Sequence, residues 1–66
     1  MRITLNGEPK ELPSVLTVQE LLDQLEIPGG RVACEINLQI IRRAQYAHTT
    51  IQEGDTVEII QAIGGG

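Results

Sequence analysis

One stretch, Thr17-Val18-Gln19-Glu20-Leu21-Leu22-Asp23-Gln24-Leu25, decides what this chain can fold into. Val18, Leu21, Leu22 and Leu25 recur at i, i+3, i+4 and i+7 and therefore share one face of a helix, while Glu20, Asp23, Gln24 and Glu26 point elsewhere. Thr17 and Glu20 have the spacing of a capping box, in which hydroxyl and carboxylate each accept an otherwise orphan backbone N–H, so the helix starts there. Pro28-Gly29-Gly30 predicts its end, with a proline that cannot continue it and glycines that permit a left-handed turn.

The apolar residues on either side follow a period of two. Met1, Ile3 and Leu5 alternate with Arg2, Thr4 and Asn6 as a half-buried strand. Asn6-Gly7 then signals a type I′ hairpin, and a second strand returns through Glu8 to Leu12; because proline has no N–H for a ladder, Pro9 implies that this strand is at a sheet edge or irregular at its start. Val32, Cys34 and Ile36 form a third strand, and Ile40-Ile41 a brief fourth after the turn Asn37-Leu38-Gln39. Residues 44–50 read as an irregular connection or a single helical turn, carrying Tyr46, the one aromatic side chain. Glu53-Gly54-Asp55 turns the chain into a last strand through Val57 and Ile59. Two hairpin strands, one helix and further strands predict an α+β fold, a mixed sheet of four to five strands packed on one main helix.

With 66 residues there is room for one small domain and little room for an enclosed active site. A net charge of -4 repels phosphate backbones, so nucleic acid is not an expected partner; a basic protein surface suits it better. No apolar run approaches membrane-spanning length and no signal-peptide layout opens the chain, which makes a cytoplasmic monomer the expectation. The single cysteine, Cys34, falls on an inward strand position, where it acts as a small hydrophobe. The single histidine, His48, has no carboxylate or cysteine at a metal-ligand spacing. The residues thus predict no catalytic constellation and no metal site. The acidic helix positions Glu20, Asp23 and Glu26 fit either a hydrated face or a docking surface.

Two features remain. If Val57 and Ile59 point inward, Ile60 and Glu58 point outward, and so must either Ile40 or Ile41; Ile60, Ile40, Ile41 and Glu58 are therefore the candidate docking residues. Second, Ile63 leads into Gly64-Gly65-Gly66, which have no side chains to pack, so residues 1–63 are expected to fold and 64–66 to form a loose tail. Extended from Gln61, such a tail puts the Gly66 carboxylate on the order of 20 Å from the folded body, narrow enough for a slot that excludes any Cβ. A carboxylate is a poor electrophile. Joined to AMP it gains a good leaving group, and the enzyme that does this must be a partner.

The opening strand with Asn6, the helix entry Thr17-Val18-Gln19-Glu20-Leu21-Leu22, Glu35-Ile36-Asn37 with Ile40, the turn Glu53-Gly54-Asp55, and Ile63 before the glycines together resemble the ubiquitin-like β-grasp sulfur carriers, most closely those of the ThiS type. The resemblance implies a carrier that binds no cofactor itself. A ThiF-like adenylyltransferase would use ATP to activate Gly66, and a donor system such as a cysteine desulfurase would supply sulfur for a thiocarboxylate. A ThiG-like thiazole synthase would take that sulfur into the thiazole ring. By position Gly66 is the reacting residue, Gly65 its companion, and Gly64 additional slack. The rival readings are a molybdopterin sulfur carrier of the MoaD type, whose members are typically longer and richer in aromatic residues; a protein modifier joined to lysines; and a plain interaction domain with an inert tail.

Overall fold

A computed structural model describes residues 1–27 and 31–61. The elements run β1 (Arg2–Leu5), β2 (Glu8–Glu11), β3 (Leu16–Thr17), α1 (Val18–Gln24), β4 (Val32–Ile36), β5 (Gln39–Ile41), a 3-10 turn (Arg43–Gln45), β6 (Thr50–Ile51) and β7 (Thr56–Gln61). Five strands make one mixed sheet in the order β2-β1-β7-β4-β5, and β3 pairs with β6 as a separate two-stranded ribbon. Within the large sheet β1 and β7 are parallel, with Thr4 opposite Thr56 and Leu5 opposite Val57, and the other neighbours are antiparallel.

The first hairpin turns as expected. Asn6 and Gly7 have φ of 51° and 84°, the left-handed pair a type I′ turn requires, and Pro9 lies on the edge strand. The helix begins with the complete capping box: Glu20 N–H donates to Thr17 Oγ1 at 3.1 Å, and Thr17 N–H to Glu20 Oε1 at 2.8 Å. Two more orphan donors of the first turn are taken by the connection that the sequence suggested was irregular. Val18 N–H reaches the Thr49 carbonyl at 2.9 Å and Gln19 N–H the Tyr46 carbonyl at 3.0 Å. That segment is therefore part of the scaffold, with its 3-10 turn and Tyr46 buried at its centre.

The helix stops before the predicted breaker. Leu25 is its C-cap and Glu26 takes the left-handed conformation, φ 59°. Glu26 N–H bonds to Asp23 O at 3.1 Å and Ile27 N–H to Leu22 O at 3.0 Å, which is the double bond pattern of a Schellman motif with glutamate where glycine is usual. The predicted breaker Pro28-Gly29-Gly30 lies outside the described residues, as does the expected boundary between residues 63 and 64.

The core lies between the sheet and the helix. Ile3, Cys34, Ile36, Val57 and Ile59 from the sheet pack with Val18, Leu21 and Leu22 of α1, and Leu12, Leu16, Tyr46 and Ile51 close the sides. Fully burying a leucine such as Leu21 or Leu22 contributes about 2–3 kcal/mol, so a small number of side chains carries most of the stability of a domain this size.

Candidate functional site

The face of the sheet turned away from the helix is built by strict alternation. In β7, Val57 and Ile59 are buried whereas Thr56, Glu58 and Ile60 are exposed. The ladder with β4 sets Glu58 opposite Glu35 and Ile60 opposite Ala33, and the ladder with β5 sets Glu35 opposite Ile40. Directly opposed residues share a face. Glu58, Glu35 and Ile40 therefore form one row on the outer surface, and Ile60 with Ala33 the start of the next. Ile60 is 56% exposed and Ile40 74%.

Ile41 does not belong to this face. It sits opposite Cys34, is half-buried and packs against the core, because consecutive strand residues point to opposite sides and Ile40 has taken the outer one. Of the docking candidates, Ile60, Ile40 and Glu58 are thus brought together, and Glu35 and Ala33 join them. The outward positions of β4 were visible in its alternation; their neighbours required the β4–β7 pairing. Leu38 is a further exposed apolar residue, at the tip of the β4–β5 hairpin, where it and Asn37 have φ of 70° and 52°. The Asn37 side chain pins this hairpin to the final turn, donating to Asp55 Oδ1 at 3.1 Å and accepting from Thr56 N–H at 3.0 Å.

The last strand, which leads toward the glycines, is held from both sides. After β1 turns away at Asn6, the Asn6 N–H still donates to Val57 O at 2.9 Å, and Asn6 Oδ1 accepts from Ile59 N–H at 2.8 Å. On the other side β4 accompanies β7 as far as Gln61, opposite Val32. Gly64, Gly65 and Gly66, assigned above to entry and reaction, lie outside the described residues.

Cys34 is fully enclosed, and burial first and the neighbouring Glu35 carboxylate second push its thiol above the ordinary range. His48 is exposed on the connecting segment, and its N–H donates to Gln45 O at 2.9 Å. No cluster of three or more His, Cys, Asp or Glu side chains able to hold a metal occurs among the described residues. No helix among them is long and apolar enough to cross a membrane.

A mixed five-stranded sheet wrapped on one helix, with parallel first and last strands at its centre, is the ubiquitin-like β-grasp architecture. A crystal structure of a thiamine biosynthesis protein, ThiS, from Geobacter metallireducens matches it with a TM-score of 0.85 and 35% identity, covering the whole of both chains. The ThiS family model matches residues 3–66, and this chain belongs to the ThiS family. The sulfur carrier protein ThiS of Escherichia coli is 38% identical over 66 residues, all of both chains. A thiazole synthase of Paramagnetospirillum magneticum is also 38% identical over 66 residues, and there this chain spans only 20% of the relative's length.

Proposed function

We propose that this protein is the sulfur carrier of thiazole formation in thiamine biosynthesis and acts as a substrate of its partner enzymes. The observation that carries the reading is the family match, which runs through the fold and on to residue 66. A thiazole synthase with a stretch resembling this whole chain supports the thiazole route over the molybdopterin one, because it joins such a carrier to the enzyme that would consume its sulfur.

The Gly66 carboxylate attacks the α-phosphorus of ATP in a ThiF-like adenylyltransferase, forming an acyl-adenylate and releasing pyrophosphate. A donor such as a cysteine desulfurase carries the sulfur as a persulfide; a thiol reductant cleaves its S–S bond, being oxidised to a disulfide, and the hydrosulfide released adds to the activated carbonyl. The bond to AMP breaks and a thiocarboxylate remains for a ThiG-like synthase. The outer sheet face around Ile60 and Ile40 docks on the partner while Gly64, Gly65 and Gly66 enter its slot.

The test is accurate-mass analysis of the protein after incubation with a ThiF-like enzyme, ATP, cysteine, a desulfurase and a thiol reductant. Replacement of one oxygen by sulfur, located on Gly66 by fragmentation, is the expected product; sulfur found only on Cys34, or no change at Gly66, overturns the reading. Deleting Gly65 and Gly66 is expected to abolish the product and leave the melting temperature unchanged.

A further inference from the structure

The outer face carries a feature that docking through apolar contact does not explain. Glu35 and Glu58 lie directly opposite each other on adjacent strands. Two residues further along the same ladder, Asn37 N–H donates to Thr56 O at 2.8 Å, so by the alternation of antiparallel pairs Glu35 and Glu58 are also a hydrogen-bonded pair, with Cα atoms about 5.5 Å apart. Like charges placed opposite each other destabilise a sheet. The ion pairs Met1–Glu11 and Arg2–Glu11 involve neither of these carboxylates. Around the two carboxylates stand Ile40, beside Glu35 in the same row, and Ile60 and Ala33 in the next.

We propose that the Glu35–Glu58 pair is the seat of one arginine of the adenylating partner, and that Ile40 and Ile60 exclude water around it. This rests on the docking role proposed for the face. An arginine fits better than a lysine, because its planar guanidinium can present one edge to each carboxylate while its faces lie against aliphatic side chains. Repulsion between the carboxylates in the free protein is relieved when the cation arrives, so the pair favours the bound state twice, by attraction and by removal of a like-charge contact. A charged contact ringed by apolar side chains is also shielded from salt more than an exposed one.

The experiment measures affinity and association rate between the full chain and a ThiF-like adenylyltransferase at low and high salt. Three double variants are compared with the wild type: Glu35→Gln with Glu58→Gln, Ile40→Ser with Ile60→Ser, and Glu8→Gln with Glu26→Gln, which removes the same charge from exposed positions elsewhere. The Glu35/Glu58 variant is expected to bind on the order of tenfold more weakly, with higher melting temperature in the free state. The Glu8/Glu26 variant is expected to bind as the wild type does. Equal weakening by the two glutamine variants would reduce the effect to net charge and overturn the proposal. Weakening by the serine variant alone overturns the arginine seat and leaves the docking face standing; no effect from either the serine or the Glu35/Glu58 variant overturns both.

Discussion

Asn6 accepts the backbone N–H of Ile59 through its side-chain oxygen, 53 positions away in the chain, just past the last residue pair that joins β1 to β7. The same residue turns the first hairpin with positive φ, so a turn requirement and a long-range backbone bond meet in one side chain.

Replacing Asn6 by alanine is therefore expected to destabilise the fold by about 1–3 kcal/mol, since a partly buried N–H loses its partner and the turn loses a residue that tolerates the left-handed region. Asn6→Gly should lose less, because it keeps the turn. Urea denaturation of the two variants beside the wild type measures both.

Glu26 closes the helix in a conformation that glycine adopts without strain. Glu26→Gly is expected to stabilise the protein by about 0.5–1 kcal/mol, read as a higher midpoint in the same denaturation series. A lower midpoint would mean that the glutamate side chain contributes something its exposed position does not suggest.

The two faces of β7 predict opposite outcomes for the same substitution. Val57→Glu buries an unpaired charge at a site with 0% exposure and should unfold the domain, because the cost of several kcal/mol matches the whole stability of a domain this small. Ile60→Glu should leave far-ultraviolet circular dichroism and melting nearly unchanged while weakening partner binding.

Most of this architecture was legible before any coordinates. The capping box at Thr17, the Asn6-Gly7 turn and the alternation through Val57 and Ile59 are local signals, each written within a few residues. What escaped detection depended on distant partners. Ile51 and Leu16 sit in strands of two residues, too short to show a period, and they become a ribbon only by pairing with each other. Tyr46 looked like a loop residue because no apolar period surrounds it, yet it is buried as part of the core. The helix end was misplaced because proline and glycines are stronger punctuation than Glu26, whose left-handed turn is imposed by Ile27 folding back onto the core. Of the candidate site, the exposure of Ile60 followed from parity alone; the choice of Ile40 over Ile41, and the meeting of Glu35 with Glu58, needed the strand register.

Cys34 gives a prediction in pH. Its thiol is raised by burial and by Glu35, so above the free thiol's range, about pH 8.5, the unfolded chain has released a proton that the folded chain still holds. Stability is then expected to be flat below that range and to fall as pH climbs through it, with buried Tyr46, also raised, steepening the decline at higher pH. Thermal melts between pH 7 and 11 measure the slope, which should be shallower in Cys34→Ala. In the native protein a thiol reagent should react with Cys34 far more slowly than in urea.

The position of β7 in the middle of the sheet bears on how the molecule carries load. A pull along the strand from its C-terminal end runs parallel to both neighbours, β1 and β4, so their rungs are strained together in shear and cannot open one after another like a zipper. Whatever grips the chain beyond Gln61 therefore tugs on the best-anchored strand of the domain, and the body can be drawn along by its end without coming apart.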